Sequence, residues 1–147
     1  MLISKMFNTI FAFLMLFGLG ILAERPEWYP ENAAEIDAEC MKKHVLSAEI
    51  MEKLKNDFTL EDTPTMRSLV FCSALGKQVF RPNVGFEAVR VVEGLQENAK
   101  LNCSLVAVQH CADQFKTANS NEAMFFSTMK CLFDNISENC SKIKETE

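Results

Sequence analysis

Six cysteines, Cys40, Cys72, Cys103, Cys111, Cys131 and Cys140, are the residues whose type and spacing promise chemistry. "FFSTMKCLFDNISENC", from Phe125 to Cys140, ends on two of them, with eight residues between Cys131 and Cys140. That interval is too wide for a C-x-x-C metal pair. An even count in an oxidising compartment reads as three disulfides, and six cysteines allow fifteen connectivities. Catalytic groupings do not assemble around them. There are two histidines, His44 and His110, with no H-E-x-x-H, no G-x-S-x-G and no glycine-rich phosphate loop. His110, next to Cys111, reads as a helix-surface residue. The carboxylates of "ENAAEIDAE" and "KETE" read as solvated faces. Sequons stand at Asn102, Asn135 and Asn139, two of them with a cysteine, Cys103 or Cys140, at the middle position, which disfavours their use. The chemistry on offer is cross-linking and binding, with no catalysis, cofactor or metal.

The compartment follows from residues 1–23. Lys5 starts an otherwise apolar run, "MFNTIFAFLMLFGLGILA", which closes on Ala23 before the first acid, Glu24. This is the layout of a secretory signal peptide rather than a membrane anchor. With no second long apolar run, no stable membrane insertion is expected, and a mature chain of residues 24–147 would be secreted. Its size suits one domain, with a radius of gyration of about 14 Å. Removing Lys5 leaves 14 basic and 20 acidic residues, 14 − 20 = −6, from the 15 and 20 of the whole chain. That balance argues against nucleic acid or anionic membrane as the main partner.

The elements that must position the cysteines read as helices. "ERPEWYPEN" is an extended lead-in holding the only Trp and Tyr, Trp28 and Tyr29. Ile36 and Cys40 then stand four apart. Ser47 is an N-cap for "AEIMEKLKND", where Ile50 and Leu54 share a face. Thr63 caps a helix with Pro64 at its first position, ending before Pro82 in "RPNVG". Phe86, Val89, Val92 and Leu95 are expected on one face of the next helix. Leu101, Leu105, Val108 and Phe115 follow in "LNCSLVAVQHCADQF". "NSNE" has the Asn-x-x-Glu form of a capping box for the last helix. No alternating strand or hairpin dipeptide is visible. The expectation is an all-α bundle of about six short helices.

With these residues assembled, the chain resembles an insect odorant-binding protein of the PBP/GOBP family. That family carries six cysteines, with three residues between the second and third and eight between the fifth and sixth. Its bridges join first to third, second to fifth and fourth to sixth. Cys40 matches the first, Cys72 the third, Cys111 the fourth and Cys131 the sixth; Ser68 and Glu122 fall where the second and fifth would stand. Both missing cysteines are halves of one bond, as in a fly subgroup that shares a lead-in like "EWYP". A competing alignment, with Cys131 and Cys140 as fifth and sixth, stretches the preceding interval to 19 residues. The resemblance implies Cys40–Cys72 and Cys111–Cys131. If the last two helices form an antiparallel hairpin as in the family, Cys103 and Cys140 travel to the same level and join. The final helix must then break at "DNISEN", because nine helical residues would turn Cys140 to the far side.

The same resemblance turns an apolar surplus into an expected cavity of ~300–1,000 Å³. Its candidate lining is Met66, Leu69, Val70, Leu75, Phe80, Phe86, Val89 and Val92, followed by Leu95, Leu105, Val108, Phe115, Phe125, Phe126, Met129 and Phe133. With Trp28 and Tyr29 outside the helices, such a cavity would favour long, weakly polar ligands. The implied function is a secreted carrier of odorants, pheromones or fatty-acid-like molecules. A membrane chemoreceptor is an implied partner, and the expected state is a monomer or weak homodimer. The rival is a helical signalling or inhibitory protein with a solid core. A saposin-like membrane-active domain would need a different cysteine rhythm.

Overall fold

The structure is a computed structural model that describes residues 25–144. The expected signal peptide lies outside the described residues. Seven helices and two short strands are present among them: α1 (Ala33–Lys43), α2 (Ala48–Asp57), α3 (Pro64–Gly76), α4 (Ala88–Ala99), β1 (Leu101–Cys103), α5 (Leu105–Gln114), α6 (Asn121–Asp134), α7 (Ile136–Asn139) and β2 (Cys140–Lys142). The fold is all-α in class, as the periodicity predicts.

Local chemistry sets the helix starts. The Ser47 side chain accepts from the Ile50 N–H at 3.3 Å and Thr63 from Met66 at 3.2 Å, while Pro64 fills the first position of α3. Ser104 and Ser120 cap α5 and α6 in the same way. The last cap lies one residue beyond the expected box: Ser120, not Asn119, accepts the helical N–H, at 3.0 Å from Ala123. After α3 the chain turns over Arg81–Gly85, where Gly85 takes φ 99°, a conformation open to glycine.

Helices α1 and α3 pack together, α3 lies against α6, α6 against α5, and α5 against α4. Gly76 permits the α1–α3 contact, since a Cβ there would run into the Ile36 side chain. Phe80, Phe126, Met66, Leu132, Val91 and Val108 are almost fully excluded from water at the centre. Three disulfides staple the bundle. Cys40–Cys72 ties α1 to α3, Cys111–Cys131 ties α5 to α6, and Cys103–Cys140 ties the two strands.

The two strands correct the all-helical reading of this region. Cys103 lies in β1 rather than in a helix begun at Leu101, so helical rise does not bring it to Cys140. α6 stops at Asp134, at the expected "DNISEN" break, and one turn, α7, redirects the chain. β2 then pairs antiparallel with β1, with Cys103 opposite Cys140 and Leu101 opposite Lys142. The Ser104 N–H donates to the Asn139 carbonyl at 2.8 Å, and that of Ile143 to Lys100 at 2.9 Å. Cys103 and Cys140 therefore form a non-hydrogen-bonded pair, the position where facing side chains approach most closely.

Candidate functional site

A cavity of about 420 Å³, partly open to solvent, runs between five of the helices. α3 supplies Leu69, Val70, Ser73 and Ala74; α4 supplies Val91, Gly94, Leu95, Asn98 and Ala99; α6 supplies Phe125, Met129 and Phe133. Met51, Leu54 and Lys55 of α2 close another side, with Phe58 and Leu60 beyond its end. Asp37 and Met41 of α1, with Lys77 and Val79 after α3, complete the wall.

The aromatic residues have distinct jobs. Phe125 lines the cavity and rests on three other rings: Phe80 at 5.8 Å, Phe86 at 6.2 Å and Phe71 at 6.3 Å between centroids. Its neighbour Phe126 points away from the cavity into the core, with the Arg67 guanidinium 5.9 Å from its centroid. Adjacent helical residues diverge by about 100°, which forces this division. Phe58 ends α2 in the left-handed region, φ 52°, a position usually given to glycine. Its ring meets Phe133 edge-on at 5.7 Å, so the two rings form one corner of the wall.

One polar cluster interrupts the apolar lining. Lys77 follows the last turn of α3, and its side chain is only 5% exposed. Its Nζ donates to Asp37 Oδ2 at 3.0 Å, and the Ser73 hydroxyl donates to Asp37 Oδ1 at 2.6 Å. Burial pushes the Lys77 ammonium below the usual lysine range, and Asp37 pulls it part of the way back. Outside the cavity, the lead-in is tied to α4. Trp28 Nε1 donates to Glu93 Oε2 at 2.7 Å, and the Arg90 guanidinium lies 4.4 Å from the indole centroid. Tyr29 is buried beside it, its phenol pushed up to about 12 by desolvation and then by Asp37 and Glu97.

Of the sixteen expected cavity residues, the structure brings six to the wall: Leu69, Val70, Leu95, Phe125, Met129 and Phe133. Met66, Phe80, Val108 and Phe126 are buried in the solid core instead. Phe86, Val92 and Phe115 are half-buried and do not line the cavity. Three expectations are reversed: Leu75, Val89 and Leu105 face solvent. Leu75 lies in the last turn of α3 and Leu105 opens α5, where helix ends project past the core. Val89 is misplaced by phase. The inward stripe of α4 is Ala88, Val91 and Leu95, with Gly94 beside it, and small residues there conceal the true face. Val89 and Leu105 instead border an apolar surface depression with Ala88 and Val106. Met41, Met51, Leu54, Phe58, Leu60 and Val79 were not among the expected lining; the shared face of Ile50 and Leu54 was the available signal for α2. His110 is exposed, as read.

A disulfide-stapled helical bundle around an apolar, partly open cavity defines a small-ligand binding domain. Residues 23–135 match the PBP/GOBP family, so the chain belongs to the insect odorant-binding proteins, whose members are carriers. No curated protein and no solved structure matches the chain. The matched span stops before Cys140, so the Cys103–Cys140 bridge reaches outside it. No helix among the described residues is long and apolar enough to cross a membrane.

Proposed function

We propose that this protein is a secreted carrier that encloses one long, weakly polar molecule in an extracellular fluid. The observation that carries the reading is the 420 Å³ cavity walled by Leu69, Leu95, Phe125, Met129, Phe58 and Phe133. At ~30 Å³ per non-hydrogen atom, the share of a liquid water molecule, it holds about 14 such atoms. Moving ~300 Å² of ligand surface out of water at about 25 cal/mol per Å² offers several kcal/mol gross. After the costs of association, micromolar affinity is the expected outcome.

Residues 1–23 would be removed as the signal peptide, leaving 24–147 as the carrier domain; the family match, which begins at residue 23, supports that boundary. Membership of the subgroup lacking the second and fifth cysteines rests on Ser68 and Glu122. Its support is that α3, which carries Ser68, packs on α6, which carries Glu122. The exposed apolar patch of Val89, Leu105 and Val106 favours an accessory surface contact, of the kind a chemoreceptor or a second copy would make. The test of the carrier reading is uptake of N-phenyl-1-naphthylamine, a neutral fluorescent probe, by the oxidised protein. Saturable binding at micromolar concentration is expected, and absence of uptake by the folded protein overturns it.

A further inference from the structure

Lys77 brings a charge into the wall of an otherwise apolar cavity. Its side chain is 5% exposed, against 27% for its partner Asp37. An ammonium has three N–H donors, and among the described residues this one makes a single hydrogen bond, to Asp37 Oδ2 at 3.0 Å. The other Asp37 oxygen is taken by the Ser73 hydroxyl at 2.6 Å. All three residues line the cavity. The carboxylate is thus committed on both oxygens, whereas the ammonium keeps donor capacity in a place where unmet donors are costly. The titration of Lys77 is depressed first by desolvation and partly restored by Asp37, in agreement with its burial.

Charge decides which ligand would suit that donor. Lys77 and Asp37 already neutralise each other. A carboxylate ligand at Lys77 would bring an uncompensated negative charge beside Asp37, in a site that solvates charge poorly. A hydrocarbon would displace water from Lys77 and replace none of its hydrogen bonds. A neutral oxygen acceptor satisfies the donor without adding charge. Lys55 also lines the cavity, but it is exposed and therefore screened.

Resting on the carrier reading, we propose that Lys77, held by Asp37 and Ser73, is a head-group site for a neutral oxygen acceptor. The ligand class is a long-chain aldehyde, ester or alcohol, chosen over both plain hydrocarbons and fatty-acid anions. The cavity's room for about 14 non-hydrogen atoms points to chains of about twelve carbons.

The experiment is probe displacement at pH 7 by tridecane, dodecan-1-ol, dodecanal and dodecanoate, with the folded state of each variant checked by circular dichroism. In the parent protein, dodecanal and dodecan-1-ol should bind about tenfold or more tighter than tridecane, and tighter than dodecanoate. Lys77→Met should erase the preference for dodecanal over tridecane. Asp37→Asn should invert the selectivity, because Lys77 then lacks its carboxylate and dodecanoate can supply one. That arm decides the matter if Lys77→Met does not fold. Equal displacement by all four compounds overturns the head-group site and leaves the carrier reading standing. So does dodecanoate binding that Lys55→Met abolishes, since it would place the head group at the rim. No probe uptake by the parent protein overturns both.

Discussion

Two adjacent phenylalanines separate a cavity from a solid core. Phe125 forms part of the cavity wall, whereas Phe126 is 1% exposed and is absent from that wall. Phe→Trp adds three non-hydrogen atoms at each site. Inside the cavity they occupy about 90 Å³ at ~30 Å³ each, roughly a fifth of the 420 Å³ available. Losing room for three ligand atoms at ~0.3 kcal/mol per atom weakens binding about fivefold. Phe125→Trp should therefore reduce probe affinity by about that factor while costing less than ~1 kcal/mol of stability. At Phe126 the same atoms meet packed neighbours, and overpacking costs about 1–3 kcal/mol. In a domain of this size each kcal/mol lowers Tm by roughly 3–5 °C. Phe126→Trp should thus melt about 3–15 °C lower and bind the probe with parental affinity. The assay is a thermal melt and a probe titration on both variants. Equal destabilisation, with probe affinity unchanged by Phe125→Trp, would refute the assignment of the two faces.

Gly76→Ala sets helix propensity, which favours Ala by ~1 kcal/mol, against a collision with Ile36. We expect the collision to win, with a net loss of about 1–2 kcal/mol in denaturant unfolding; a more stable variant would contradict the close α1–α3 contact. Ser68→Cys with Glu122→Cys should form a fourth disulfide under mild oxidation, read by mass after alkylation. Thiols that stay free would remove the support for the missing-bridge alignment. Tyr29, the only tyrosine in the chain, should ionise with a midpoint near 12 rather than 10.0 in absorbance titration. Because the folded value lies above the unfolded one, its contribution to stability is complete below pH 10 and lost as pH rises toward 12. A midpoint near 10 would mean that the lead-in does not bury this residue.

The cysteines and caps were legible because their physics is local or topologically distinctive. Ser47 and the Thr63–Pro64 pair announce helix starts within a turn of themselves. Cys40–Cys72 and Cys111–Cys131 are bridged, as the resemblance implies. The inner face of α4 was not legible: Ala88 and Gly94 turn inward while Val89 turns out, so side-chain bulk points to the wrong stripe. β1 and β2 are three residues each, too short to show alternation, and their cysteines pair at a sequence separation of 37. Lys77 carried no signal either. A lysine at a helix end is ordinarily solvated, and its burial depends on Asp37, 40 residues away.

A carrier of the proposed kind takes its ligand into the cavity among α1, α2, α3, α4 and α6. The chain supplies its own reporters, since Met41, Met51 and Met129 line that cavity while Met66 is fully buried elsewhere and Met124 packs on the core outside it. The decisive measurement is a methionine-methyl NMR titration of the oxidised protein with dodecan-1-ol. Saturable shifts of the Met41, Met51 and Met129 methyls with one midpoint are expected, with little change at Met66 and Met124. Five unmoved methyls, or shifts spread evenly over all of them, would contradict the carrier reading.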